Sequence, residues 1–393
     1  MQDEGRAGGV EFARELLTSS GSNFRVGPVN FYRAIQNKTP EGIATVAALT
    51  FMGSRAESWP QGRLEGASVF FSQVGYKPTR EWKEECVFWD PYKTSVEVPE
   101  GEEPPPLESK PLQAMFPDGT KVKVPADQDP REVFADWLVT PENPWFTRCA
   151  VNRVWAWILG RGIIHEPDDI RHDNPPSNPE LLAYLEKELI NSDYDLRHIF
   201  KLILTSQTYQ LSSMPRSEDP QAEALFAVYP LRRLEAEVLI DAVNKITGST
   251  DLYTSAIPEP FTYIPKDLPA IAVADGSITS PFLALFGRSS RATGMENERN
   301  NKLTSAQWLH MLNSSHIQDK LERGPSLRAI LTARTKPQEK VETLYLTILS
   351  RFPTDDELVR LKEYQGKQKA LTRDQWIDVT WALINNKEFL FRH

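Results

Sequence analysis

The densest run of residues able to do chemistry is His165-Glu166-Pro167-Asp168-Asp169-Ile170-Arg171-His172-Asp173-Asn174, set between two apolar helical stretches. Imidazole titrates near neutrality, and neighbouring carboxylates can be driven to different pKa values. Asp168, Asp169 and His172 are therefore the residues that could share acid and base roles, or hold a metal. The plainer reading is a solvated loop whose carboxylates cap helices and pair with Arg153, Arg161 or Arg171. No recognised metal-ligand spacing is present, and no metal is expected.

A second group gathers Arg288, Arg291, Glu296, Glu298, Arg299 and Lys302. Guanidinium groups that converge suit carboxylate, sulfate or phosphate through forked hydrogen bonds, so Arg288, Arg291 and Arg299 are candidate ligand-binding residues. Glu296 and Glu298 could equally neutralise them within a structural network. His310 and Asn313, on the helix that follows, would form the floor of such a site. A single histidine on a mostly apolar helix is more often a satisfied core group. A third set, Asn152, Arg153, Trp155 and Trp157, could stack against sugars, although Trp155 lies on the apolar stripe from Val151 to Leu159 and reads as core. No Gly-x-Ser-x-Gly, phosphate-binding glycine loop, dinucleotide fingerprint or His-Glu-x-x-His occurs.

The elements that must position these residues are mostly helical. Thr39-Pro40-Glu41 caps a helix carrying Ile43, Val46, Ala47 and Phe51, and a second helix is expected from Arg63 to Val74. Short strands are expected at 86–89, 96–98, 112–116 and 121–124, the last two around Pro117-Asp118-Gly119, with an acidic, proline-rich loop from Pro99 to Pro111. From Pro130 onward helical patterns follow closely. Asn178-Pro179-Glu180 opens one, Asp195 another, and further helices are expected over Leu231 to Ile246, Thr304 to Asn313, Val341 to Leu349, Thr354 to Tyr364 and Arg373 to Asn385. Between them, Ser249 to Pro281 holds five prolines and no sustained periodicity, longer than the roughly 12–15 residues at which structureless loops become unusual, and it suits a cover or binding loop. The fold class expected is mainly α, a multi-helix bundle or orthogonal array with a small β-rich insertion. The segments are a helical part at 1–75, a β-rich insertion or linker at 76–127, and a helical domain at 128–393.

With 40% hydrophobic residues among 393, the chain has the composition of a globular protein. A net charge of −9 argues against general affinity for nucleic acid. No run reaches the roughly 18–20 apolar residues of a membrane-crossing helix, and Met1 to Gly5 lacks the features of a signal peptide. Cys86 and Cys149 are too few for a disulfide framework.

Several motifs together resemble a known family. Asn143-Pro144-Trp145-Phe146, Asn152-Arg153-Val154-Trp155, Leu159-Gly160-Arg161-Gly162, Asn174 to Leu182, Ser206-Gln207-Thr208-Tyr209-Gln210-Leu211-Ser212 and Arg232-Arg233-Leu234 are similar to the planctomycete-type domain of unknown function 1553. The likeness continues through Phe286-Gly287-Arg288, Leu309 to Asn313, Leu349 to Thr354 and Trp381 to Phe389, and covers about residues 128 to 393. The segment from Val29 to Arg33 through Trp82 to Glu85 resembles the end of its usual neighbour, domain of unknown function 1549. The resemblance implies a piece of a longer, exported protein, periplasmic or extracellular, often fused to a cytochrome c domain that would be a partner. Some relatives carry Cys-x-x-Cys-His where this chain reads Met52 to Trp59, and neither cysteine here has a second thiol and adjacent histidine, so covalent haem is not expected. The expectation for function is a helical binding or scaffold module handling envelope or extracellular polymers, with an anionic or glycan ligand. The alternatives are a glycan hydrolase using Asp168, Asp169 or His172, and a docking partner for a cytochrome c domain.

Overall fold

The fold is that of a computed structural model, which describes residues 8–93, 110–216, 219, 221–255, 262–273, 278–288, 299, 302–368 and 370–392. Among the described residues helix accounts for about 51% and strand for 8%, so the chain is mainly α with small β insertions. It divides into two compact units, Met1–Pro230 and Leu231–His393. Both segment edges read from composition, near residues 75 and 127, fall inside the first unit.

In the first unit the Pro40–Ala47 helix starts where Thr39 accepts a hydrogen bond from the Gly42 N–H, with proline at the first turn. It runs on through a wider turn, Ala48–Met52, and stops at Gly53, whose φ of 59° is left-handed. A side chain there would meet the Ile170 methyl at 3.0 Å and both Cys149 Sγ and the Pro167 carbonyl at 3.2 Å. Glycine thus lets the backbone touch the 167–170 loop, and the Gly53 carbonyl accepts from the Ile170 N–H at 2.8 Å. The Pro144–Leu159 helix, capped by Asn143, buries Phe146, Cys149, Val151, Val154, Trp155, Ile158 and Leu159. It packs against Pro179–Asn191, capped by Asn178, and against Leu196–Leu204, capped by Asp195.

Between the helical parts lie two small antiparallel sheets. Gly21–Ser22 and Val74–Pro78 flank Glu85–Trp89, and Leu112–Met115 pairs with Lys121–Val124 from Leu112↔Val124 to Met115↔Lys121. The expected helix from Arg63 to Val74 is shorter. It is α only over Arg63–Ser68, tightens over Val69–Phe71, and gives way to a strand that begins at Val74. The tighter turn lets the adjacent Phe70 and Phe71 both reach the core, at 0% and 1% exposure. The expected strand at 96–98 and nearly all of the Pro99 to Pro111 loop lie outside the described residues.

In the second unit, Ala236–Thr247 carries Leu239, Ile240 and Val243 into a core shared with Phe282, Leu283, Phe286, Leu327, Leu344 and Ile384. The expected helix over Leu231 to Ile246 starts only at Ala236, because Arg232–Arg233 is extended and pairs antiparallel with Phe391–Arg392. Thr304, Thr354 and Thr372 form the reciprocal caps with Gln307, Glu357 and Gln375 that open three helices, Ser305–Asn313, Asp355–Gln365 and Arg373–Ile384. Two helices that the sequence reading does not contain, Ser315–Arg323 and Pro325–Thr332, follow Ser305–Asn313. Within Ser249 to Pro281, Thr254–Ser255 pairs with Ile278–Thr279, and Asp241 accepts from the backbone N–H groups of Ala270 and Ile271 at 2.7 and 2.9 Å.

Candidate functional site

The 165–174 run does not form one constellation. Asp168 is 6% exposed and turns inward to Arg153, whose guanidinium reaches its carboxylate at 2.6 Å and also donates to the backbone carbonyls of Leu49, at 2.6 Å, and Thr50. This set fastens the loop to the turn at Ala48–Met52. Asp169 lies instead against Arg171 at 3.3 Å, in a shallow depression shared with Arg55, Glu57 and Ser58. Only His172 of the three reaches the wall of a neighbouring cleft.

That cleft, about 440 Å³, lies between the starts of the Pro144–Leu159 and Pro179–Asn191 helices and the loop joining them. Trp145, Pro175 and Pro179 supply apolar faces, and His172, Asn174 and the Arg148–Glu186 ion pair, 2.7 Å long, supply polar groups. Its position follows from the two capped helix starts: Asn143-Pro144 and Asn178-Pro179 each fix the first turn and leave the preceding chain extended. Among its lining residues Glu186 alone carries a carboxylate. Asn152 and Trp155 are 0% and 2% exposed, and Asn152 exchanges two hydrogen bonds with the Ile164 backbone, so they build the wall from behind rather than a sugar-stacking surface. Trp157 is exposed. Trp145, Arg148 and Glu186 do not stand out as a site in the sequence. The Asn-Pro-Trp motif holding Trp145 was the available signal.

Of the arginines in the second unit, Arg291, with Glu296 and Glu298, lies outside the described residues. Arg288 and Arg299 do converge, and what they converge on is Glu237, in the first turn of the Ala236–Thr247 helix. Arg288 Nε donates to it at 3.1 Å, and Arg299 reaches both its oxygens at 2.9 Å. Glu237 is 3% exposed. Burial raises the pKa of its carboxyl, and the hydrogen bond and charge of Arg299 with the charge of Arg288 outweigh that, leaving the pKa below the usual range. Arg288 also donates to the Val273 carbonyl at 2.8 Å and to that of Ile278, tying together two parts of the long loop.

His310 does not face these arginines. Its Nε2 lies 3.2 Å from His316 Nδ1, and His316 Nε2 lies 2.8 Å from Asp251. Asn313, at the end of its helix, is exposed. Asp251 also takes Lys320 at 3.1 Å and Asn244 at 3.0 Å. Burial pushes this carboxyl up, but the hydrogen bond from His316, the Lys320 charge and the hydrogen bond from Asn244 together hold it at about 2. Because the folded group is more acidic than the unfolded one at 3.8, its contribution is whole above about pH 4 and is lost as the pH falls towards 2. Asp251→Asn should therefore flatten the acid limb of a stability-against-pH curve by about 2 kcal/mol. Denaturant unfolding at pH 2 to 6 measures this, and an unchanged limb would show that the carboxylate does not carry it.

No helix among the described residues is long and apolar enough to cross a membrane. No curated protein and no solved structure matches the chain. A family model described as "Protein of unknown function (DUF1553)" matches residues 130–365, more than half of the sequence and including both the cleft and the histidine pair. The chain belongs to that family.

Proposed function

We propose that the chain is a binding module of an exported, multidomain protein, and that it takes a segment of glycan in the cleft beside Trp145. The observation that carries this reading is the make-up of the cleft. Flat apolar surfaces from Trp145 and four prolines stand next to an amide, an imidazole and a paired guanidinium and carboxylate. Sugar rings offer an apolar face and a rim of hydroxyls, which such a surface complements. An open cleft suits an internal stretch of polymer better than an isolated small molecule. Glycoside hydrolysis by the common route asks for two carboxylates flanking the bond. The cleft lining has one, already engaged with Arg148, while Asp168 faces Arg153. Of Asp168, Asp169 and His172, the hydrolase reading is then left with Asp169, beside which Glu57 is the second carboxylate lining the neighbouring depression.

Thermal shift with neutral and sulfated oligosaccharides, followed by product analysis, tests both readings. A ligand at about 100 times its Kd should stabilise the protein by roughly 2.7 kcal/mol without yielding shorter products. Trp145→Ala should weaken binding by about tenfold or more, the loss of one stacked ring, while Glu57→Gln leaves it unchanged. Shortened products that vanish in Glu57→Gln would replace the module with the hydrolase.

A further inference from the structure

The second unit joins two imidazoles, a carboxylate and an ammonium in one line of contacts. Asp251 can only accept hydrogen bonds, so the 2.8 Å contact places a proton on His316 Nε2 and leaves a lone pair on His316 Nδ1. With both rings neutral, His310 must then donate from Nε2 across the 3.2 Å contact, which leaves the lone pair of His310 on Nδ1. The carboxylate thus sets the tautomer of two rings in succession. Asp251 is itself held by Asn244 and by Lys320, whose ammonium also donates to Asn244 Oδ1 at 2.7 Å and to the Thr250 carbonyl at 3.2 Å.

The ring centroids of His310 and His316 are 5.4 Å apart while their facing nitrogens are 3.2 Å apart. The difference is close to two imidazole radii, so the nitrogens meet head-on as donor and acceptor. Two metal ligands would instead both turn towards a third point, and among the described residues no group of three or more His, Cys, Asp or Glu side chains could hold an ion. Phe282 meets both rings in edge-to-face contact, with centroids 5.5 Å from His310 and 5.8 Å from His316, and Phe286 lies 6.0 Å from His310 in the same arrangement. These aromatic contacts fix the ring planes. His310 Nδ1, on a half-buried side chain, has no hydrogen-bond partner among the described residues. Two residues from Asp251, Tyr253 buries a hydroxyl that also lacks a partner among them, so the neighbourhood has unused polar capacity.

We propose that His310 Nδ1 is a general base, aligned by His316 and Asp251, for a bound hydroxylic ligand, either water or an alcohol. In the step, the ligand O–H bond breaks with its electron pair staying on oxygen, and the proton bonds to His310 Nδ1. The positive charge so formed is shared through the His310–His316 hydrogen bond and balanced by Asp251, which stays ionised. Burial and the neighbouring ring of His316 favour neutral His310 before the step, against the opposing effect of Asp251. His310 touches the ligand, and His316 and Asp251 are positioning residues. This site is separate in chemistry and residues from the glycan cleft and stands without it.

Diethyl pyrocarbonate, which acylates unprotonated imidazole nitrogen, reads the lone pair directly on the full chain, with each histidine followed by mass spectrometry. At pH 7, His310 should react about tenfold faster than His172, since burial keeps the ring unprotonated and the hydrogen bond it donates from Nε2 to His316 raises the electron density on Nδ1. His316→Gln, and separately Asp251→Asn, should bring His310 down to the rate of His172 while His172 and His198 keep theirs. Those two rates, from the first unit, are internal references, and circular dichroism reports whether each variant folds. If Asp251→Asn fails to fold because Lys320 is left unpaired, His316→Gln carries the test alone. A His310 rate no higher than that of His172, or one indifferent to His316→Gln in a folded protein, would overturn the proposal. So would one equivalent of zinc that protects both rings, because their nitrogens would then be metal ligands.

Discussion

Glu237→Ala should lower the stability of the second unit by about 3–5 kcal/mol, the range for breaking a buried ion pair from one side. The carboxylate is 3% exposed and is the meeting point of Arg288 and Arg299, so its removal leaves two guanidinium groups close together with no counter-charge from it. The Arg288 side chain, at 9% exposure, cannot escape to water without releasing the Val273 and Ile278 carbonyls. The variant also distinguishes structure from ligand binding. If the arginines are a strut, sulfate should do little for the wild-type protein and should rescue Glu237→Ala by filling the vacated place of the carboxylate. If they are an anion site already open to ligand, sulfate should stabilise the wild type at least as much as the variant. Urea unfolding with and without sulfate measures both quantities. A loss below about 1 kcal/mol would mean that the pairs are worth no more than surface ones.

Local chemistry was legible in the sequence, and long-range chemistry was not. The helix starts at Thr39-Pro40, Asn178-Pro179, Thr354 and Thr372 could be read because a cap and the backbone N–H it satisfies lie within three residues of each other. The strand at Arg232–Arg233 could not, because its partner Phe391–Arg392 lies at the other end of the unit and the local pattern resembles the start of the next helix. Site residues divided in the same way. The convergence of Arg288 and Arg299 follows from their closeness in the chain, whereas Glu237, on which they meet, stands 51 and 62 residues away. In the sequence His310 reads as a lone imidazole because its relay crosses a helix break. Ser314 ends one helix and caps the next, which swings His316 back towards His310, and Asp251 enters from a loop 65 residues earlier. The Ser314-Ser315-His316 sequence is the one local sign of that break. The cleft is illegible in the sequence for a related reason: Trp145 and Arg148 belong to one helix and Glu186 to another, and only packing makes them neighbours.

Asp168→Ala is expected to cost the first unit about 3–5 kcal/mol, and this result decides what the acidic run at 165–174 is for. Catalytic carboxylates are commonly held at some expense to the fold, so replacing one tends to leave stability unchanged or raise it. Asp168 has the opposite surroundings. It is 6% exposed and bound to Arg153 at 2.6 Å, and Arg153 in turn satisfies the Leu49 and Thr50 carbonyls at the end of the Ala48–Met52 turn. Without the carboxylate, Arg153 keeps those two carbonyls but loses its counter-charge in a site closed by Cys149, Ile170 and the close approach of Gly53. Asp168→Asn should lose less than Asp168→Ala, since the amide oxygen can still accept a hydrogen bond from the guanidinium. Asp169→Ala provides the contrast. Its Arg171 contact is 3.3 Å long on a 43% exposed arginine, and its removal should change stability by no more than about 1 kcal/mol. Paired melting curves of the three variants give the ordering. An Asp168→Ala protein as stable as the wild type would return Asp168 to the list of residues free to act on a ligand.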